Sequence, residues 1–354
     1  MSLLALLYSF VSIALATPES CTTIDFRDRV GPIKNQLDTP WCFAFSTADL
    51  ASFASGKDVS PYPIALSYHN GIKPVKNACG ERLSEGGYQN LAFNYVNQFG
   101  FCTEDQVSSI NKKIATDKSA IHELYKLQQN LIRFREIIFD ECQDIPGTLN
   151  YDLALNSANN NLHLFSPQVF RNMFPNSNIE DIVDALAHSS LFQYPEGALA
   201  RLADLNCKMK LPYKALATVP TVDQVSNIDS ELNKILENGE IASLGVNLSP
   251  HISLTNLQQY ISSQKVSDDL LQQQLCEANV LKDANTFLHA VTLVGRKYNT
   301  TTKNCEYIVK NSWGTNCSEK SMIVPKLNCQ DGYLFLSKSE IAQMIKTITT
   351  LQKN

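Results

Sequence analysis

The chain has 354 residues, 44% hydrophobic and 18% charged, with 30 Lys and Arg against 35 Asp and Glu for a formal net charge of −5. That length supports one large domain or two ordinary ones, and 14 Gly with 14 Pro exclude collagen-like and Pro/Gly-rich disordered chains. The acidic balance excludes a nucleic-acid footprint or a polybasic membrane patch, while ten cysteines are many for a cytosolic enzyme.

The first eighteen residues carry no charged side chain, and Leu3 to Ala16 is an apolar run closing on Ala14-Leu15-Ala16 ahead of Thr17-Pro18. This reads as a secretory signal peptide over 1–16, cleaved after Ala16, although Lys or Arg near the start is missing. About fourteen apolar residues fall short of the roughly 20 that a spanning helix needs. The mature protein is therefore expected to be secreted or periplasmic, with no membrane partner once the signal is removed.

Thr39-Pro40 has the form of an N-cap followed by Pro at the first helical position, and Gly56 is a stop signal. The spacing predicts a helix over about 40–55 with Cys42 in its first turn. A second helix is expected over 88–98, with Tyr88, Leu91, Tyr95 and Val96 on one face and Gly100 beyond. Residues 107–212 look different. Leu124, Leu127, Leu131, Phe134 and Ile138 step by three and four, which predicts an amphipathic helix of at least four turns whose stripe is core packing. Shorter helical patterns follow over 181–192 and 196–205. From about 236 the pattern turns to strands, at 241–248, 287–295 and 307–310, with a polar hairpin-like connection over 299–304. The last segment, 337–354, is mildly amphipathic.

Three segments carry chemistry: Asn35-Gln36 followed by Cys42-Phe43-Ala44-Phe45-Ser46, then Leu288-His289-Ala290-Val291, then Lys310-Asn311-Ser312-Trp313-Gly314. A thiol attacks as thiolate, and a free Cys titrates near ~8.5. Cys42 at a helix start has the positive end of the macrodipole beneath its sulfur. His289 is positioned in this scheme to take the proton, and Asn311 to orient the imidazole. Gln36 would join the Cys42 backbone N–H in holding an oxyanion. Together these four residues make an acyl-transfer set.

In this order, these segments resemble the papain-like cysteine peptidase family. Ile24-Asp25-Phe26-Arg27 is similar to the start of the mature enzyme, and Gly86-Gly87-Tyr88 to the glycine pair that binds substrate backbone beside the specificity pocket. The resemblance covers roughly residues 22–106 and 225–345, and both tryptophans, Trp41 and Trp313, lie inside its motifs. It implies an α+β, two-lobe papain-like fold, a helical lobe plus an antiparallel β-barrel-like lobe, spanning 17–354. It also implies Cys42, His289 and Asn311 as the catalytic residues and Gln36 as oxyanion donor. Gly86, Gly87, Tyr88, Leu244, Ala290 and Trp313 are the implied substrate-binding residues. The implied partner is a peptide or protein substrate, the implied protein a monomeric, secreted thiol protease.

Two departures are visible. The family usually reads Cys-Gly-Ser-Cys-Trp around the nucleophile, where this chain reads Thr39-Pro40-Trp41-Cys42-Phe43; the partner of the family's first cysteine is Ser84 here, so both halves of that disulfide are absent. The histidine follows Cys42 by 247 residues, against the family's ~130–150, and the excess matches a helical insertion at 107–212. That insertion is expected to cover the cleft or restrict substrates.

Rival classes are a catalytically inactive homologue that binds peptides or a partner protein, and a transacylase using the same triad. His69, His122, His163, His188 and His251 have no comparable setting and are read as surface or core residues. There is no C-x-x-C, H-E-x-x-H or phosphate-loop motif, so neither a metal nor another cofactor is expected. Asn247, Asn299 and Asn316 open glycosylation sequons. Besides Cys42, the expected pairs are Cys317–Cys329, Cys276–Cys305, Cys79–Cys102 and Cys142–Cys207, with Cys21 left over; this is one set among many that nine cysteines allow.

Overall fold

The computed structural model of the chain describes residues 21–37, 39–68, 75–77, 80–82, 86–107, 125, 152, 153, 155, 156, 178, 180, 207–220, 225–251, 288–317 and 327–354. In chain order the elements are β1 (Ile24–Asp25), α1 (Cys42–Ser55), α2 (Pro61–Ser67), β2 (Val75–Asn77), β3 (Gly80–Arg82) and α3 (Gln89–Phe99). There follow β4 (Tyr213–Thr218), α4 (Val225–Glu237), β5 (Ala242–Asn247), β6 (Leu288–Asn299) and β7 (Asn304–Lys310). The chain closes with β8 (Asn328–Gln330), β9 (Tyr333–Ser337), α5 (Lys338–Met344) and β10 (Ile345–Lys353). The protein is α+β, with antiparallel strand pairing throughout.

Helix α1 begins two residues later than expected. The Thr39 hydroxyl donates to the Gln36 carbonyl at 2.7 Å and the Thr39 N–H to the same oxygen at 3.3 Å. Thr39 thereby closes a turn instead of capping the helix, and the Trp41 carbonyl accepts the first helical N–H groups, from Ala44 and Phe45. Gly56 ends the helix with φ of 66°, a left-handed value that costs a glycine little. The expected 88–98 helix is α3, displaced by one residue and stopped at Gly100.

Eight strands form one sheet in the order β4-β10-β5-β6-β7-β9-β8, with β1 pairing β6. The three strands expected from about 236 onward are β5, β6 and β7, although β6 runs on to Asn299 and makes a longer hairpin with β7. The mildly amphipathic segment 337–354 divides into a helix and a strand. A capping box between Ser337 and Glu340 starts α5, but the run Ile345, Thr347, Ile348, Thr349, Thr350 is β-branched and continues as β10.

Side-chain alternation divides the core in two. Val294, Ile308 and Phe335 join Phe43, Ala44, Leu50, Ile64 and Phe93 in a cluster between the sheet and α1–α3. Val291, Leu293, Val309, Leu334 and Ile348 face the other way, onto Leu232 and Leu236 of α4 and Ile341 of α5. Strand β4 lies at one end of the sheet order, and side-chain amides occupy its outer edge. Asn94 of α3 bonds both the N–H and the carbonyl of Ala215 at 2.8 Å, and Asn97 bonds the Leu211 N–H and the Leu211 and Tyr213 carbonyls.

Three disulfides lie among the described residues. Cys317–Cys329 is as expected. Cys305 pairs with Cys21, not Cys276, because β1 on β6 carries the N-terminal segment to the β6–β7 hairpin. Cys102 pairs with Cys207, correcting both pairings expected for them; the Phe101 N–H donates to the Met209 carbonyl alongside and holds the two segments together. Cys79, Cys142 and Cys276 lie outside the described residues, as do residues 1–16 and nearly all of the helical patterns at 124–138, 181–192 and 196–205. Among the described residues no helix is long and apolar enough to cross a membrane.

Candidate active site

Cys42 opens α1 and is the only cysteine outside a disulfide among the described residues. It is half-buried, and burial pushes its thiol up to about 11. The backbone N–H groups of Ala290, Phe43 and Cys42 itself lie near the sulfur and work against that rise. Two of these donors are first-turn amides of the helix, which have no intrahelical partner. The third belongs to the residue after His289, so β6 delivers the imidazole segment to the Cys42 end of α1. The helix start does favour the thiolate, as the sequence implies, but loss of solvent outweighs it.

His289 and Asn311 meet across β6 and β7, with His289 Nε2 and Asn311 Oδ1 2.8 Å apart and both residues buried. Asn311 Oδ1 also accepts the Ser312 N–H at 2.8 Å, which fixes the orientation of the amide. Because Oδ1 only accepts, Nε2 is the donor in this bond and, in the neutral imidazole, Nδ1 carries the lone pair. The Trp313 ring stacks on the imidazole, centroids 4.7 Å apart and planes 26° from parallel.

Backbone pairing brings Gln36 to this corner. The Gln36 N–H donates to the Ser312 carbonyl at 2.8 Å, the Gly314 N–H to the Lys34 carbonyl at 3.0 Å, and Asn35 bridges Trp313. The buried Gln36 side chain accepts from the Ser312 hydroxyl, and its Nε2 donates to the Thr39 carbonyl at 2.6 Å. One N–H of that amide is thus used by the loop that leads into Cys42, and the amide nitrogen carries two.

The expected substrate-binding residues fall into two groups. Gly86, at φ of 80°, and Gly87 lie in the irregular segment that leads into α3. A Cβ at Gly87 would stand 2.4 Å from Tyr68 Cε1 and 2.9 Å from Phe43 Cδ2, so the segment lies directly on the rings beside Cys42. Tyr88 is 55% exposed. Leu244, by contrast, is fully buried in the α4-facing cluster, which corrects its expected place in a pocket wall. Strand alternation turns its neighbour Gly245 toward the helices instead, with Gln89 Nε2 3.8 Å from its Cβ position. Ala290 is also buried, with its backbone at Cys42.

Sequence reasoning passed over Asp49, Thr292 and Lys310, which join α1 to the sheet. Lys310 Nζ lies 2.6 Å from Asp49 Oδ1, and the Thr292 hydroxyl donates to Asp49 Oδ2 at 2.8 Å. The available signal was a single charged residue in the fourteen of α1. It also passed over the setting of Trp41, fully buried and edge-on to Tyr125 with ring centroids 5.8 Å apart. Tyr125, a helical residue, and Leu155 both pack on the α1–α3 cluster from within 107–212.

No family model matches the chain, and no curated protein matches it. Among solved structures, the chain is similar to the ragweed pollen allergen Amb a 11, a cysteine protease in its proform, at 13% identity over 96% of this chain and 69% of that one, with a TM-score of 0.40. It is similar to the digestive procathepsin L2 proteinase of Tenebrio molitor larval midgut at 14% identity, over 93% of this chain and 67% of that one, with a TM-score of 0.39. Bromelain protease from Ananas comosus, bound to an inhibitor, is 15% identical over 94% of this chain and 99% of that one, with a TM-score of 0.40.

Proposed function

We propose that the chain is an exported cysteine endopeptidase of papain-like fold, with residues 17–354 as the peptidase and 1–16 as its signal. The observation that carries this reading is the bonded His289–Asn311 pair beside a helix-initial Cys42, with the Ala290 backbone N–H near the sulfur. In this mechanism Cys42 attacks the scissile carbonyl as its proton passes to His289 Nδ1. The Cys42 N–H and Gln36 Nε2 hold the oxyanion. His289 then protonates the leaving amine, and a thioester remains on Cys42. A water, losing its proton to His289, hydrolyses the thioester and frees the thiol. Asn311 keeps the imidazole oriented through both steps, and Trp313 covers that bond. The Gly86–Gly87–Tyr88 segment pairs with the backbone of an extended peptide. The disulfides among the described residues fit an oxidising compartment.

The 107–212 segment acts in this reading as an insertion that covers the cleft and restricts substrates. Its support is the Cys102–Cys207 bridge, which ties the two ends together, and the Tyr125 ring on Trp41, next to the nucleophile. A second reading, an inactive homologue that binds peptides, is favoured by the thiol at about 11. An epoxysuccinyl-peptide reagent and a fluorogenic peptide decide between them. A peptidase couples the reagent at Cys42 and turns over peptide, and Cys42→Ala abolishes both. Turnover retained by Cys42→Ala refutes the assignment, and binding without labelling selects the second reading.

A further inference from the structure

Interfaces between a helix layer and a sheet are ordinarily apolar, yet one register line across this sheet is polar. Thr349 of β10 lies opposite Ser243 of β5, Ser243 opposite Thr292 of β6, and Thr292 opposite Lys310 of β7. All four are buried. Only two of them reach α1, and they reach the same carboxylate. Lys310 Nζ uses its three donors on Asp49 Oδ1 at 2.6 Å, the Val30 carbonyl at 2.7 Å and the Gly31 carbonyl at 3.2 Å. The Thr292 hydroxyl takes Asp49 Oδ2. The hydroxyls of Ser243 and Thr349 have no partner.

A buried ion pair is often no more stabilising than an apolar pair of similar volume, and in some proteins it serves instead to select one arrangement. The arrangement specified here is that of the proposed catalytic residues. Asp49 lies seven residues beyond Cys42, ~10 Å along a helix at 1.5 Å per residue. Thr292 lies three residues beyond His289, ~10 Å along a strand. Lys310 directly precedes Asn311. Cys42 and His289 thus stand at similar distances along their elements from the point where Asp49 pins the two together, and the Ala290 N–H next to His289 lies near the sulfur.

We propose that Asp49, held by Lys310 and Thr292, is the positioning residue that sets the Cys42 helix in register with the strands carrying His289 and Asn311. This rests on the cysteine-peptidase reading. The test uses the full chain, a fluorogenic peptide and the rate of epoxysuccinyl-peptide labelling at Cys42. Asp49→Asn is expected to lower kcat at least tenfold with KM within twofold, and to slow labelling in parallel. Thr292→Val is expected to lower kcat severalfold, with Thr292→Ser restoring most of it. Ser243→Ala, in the same buried line but without a contact to α1, is expected to keep wild-type kcat. If Asp49→Asn does not fold, the apolar pair Asp49→Leu with Lys310→Met replaces it; a cooperatively melting double variant with depressed kcat supports the proposal. Wild-type kcat in Asp49→Asn, in that pair or in Thr292→Val overturns it, as does an equal loss in Ser243→Ala, which would mean general loosening of the core. Absence of labelling and turnover in the wild-type chain overturns the peptidase reading itself, and this proposal with it.

Discussion

A methyl group added at Gly87 tests how the substrate-binding segment is seated. In Gly87→Ala the new carbon would sit 2.4 Å from Tyr68 Cε1 and 2.9 Å from two atoms of the Phe43 ring. Ordinary carbon contact begins near ~3.5 Å, so one side must yield by about 1 Å. The rings have little room to do so. Both are buried, their centroids are 5.0 Å apart, and Phe43 is anchored in α1 next to Cys42. Overpacking of this kind costs about 1–3 kcal/mol. At about 2–4 °C per kcal/mol for a large chain, the melting temperature should fall by several degrees. The lower-cost response is for residues 86–88 to lift off the rings, since Tyr88 is tied to Tyr68 only by a 3.4 Å bond from its N–H. Steady-state kinetics with a fluorogenic peptide, alongside thermal unfolding by circular dichroism, separates the two responses. Lifting raises KM severalfold with little change in melting temperature, whereas ring displacement lowers melting temperature and kcat together. Wild-type KM, kcat and melting temperature in Gly87→Ala would refute the packing argument.

Four further outcomes are expected. Asn311→Ala removes the acceptor of His289 Nε2 inside a buried corner, a loss of about 1–3 kcal/mol that should lower kcat roughly tenfold to hundredfold, read from initial rates; an unchanged rate removes Asn311 from the mechanism. With its thiol at about 11 because of burial, Cys42 should be alkylated by iodoacetamide about tenfold faster per pH unit from 6 to 10 without levelling. A plateau starting below pH 8 would show that a nearby positive charge, not desolvation, governs the sulfur. The same upward shift makes the folded state hold its thiol proton longer than the unfolded one, so stability from this group is present below pH 9 and is lost as pH rises toward 11. Finally, Tyr125→Ala should cost about 0.5–1.5 kcal/mol for the lost edge-on ring pair and broaden the substrate range. A wild-type substrate profile in that variant would count against the covering role of 107–212.

The elements nearest the chemistry were legible because their signals are local. Gly56 and Gly100 stop α1 and α3 through backbone geometry that needs no tertiary partner, and the apolar runs at β5–β7 are strands buried on both faces. The N-cap expectation at Thr39 failed because its hydroxyl had a competing acceptor, the Gln36 carbonyl, which only the turn geometry reveals. The short Cys317–Cys329 loop was legible from its spacing, but the long-range disulfides were not: nothing in sequence indicates that β1 crosses to β6 and brings Cys21 to Cys305 across 284 residues. Leu244 was misread because a one-residue choice on a strand reverses which core a side chain enters. Asp49 was visible as a solitary charge in α1, but its partners on β6 and β7 are separated from it by more than 240 residues.

The asparagine amides along β4 bear on how crowded such a protein can be. An outermost strand whose outward N–H and carbonyl groups are free is a template that another chain can extend, and a row of such additions is the beginning of a fibril. Here Asn94 and Asn97, one helical turn apart, bond the outward N–H and carbonyl of Ala215, the carbonyl of Tyr213, and Leu211 just before the strand. The start of this edge is thereby occupied from within the chain, so strand addition along Tyr213 and Ala215 requires α3 to be displaced first.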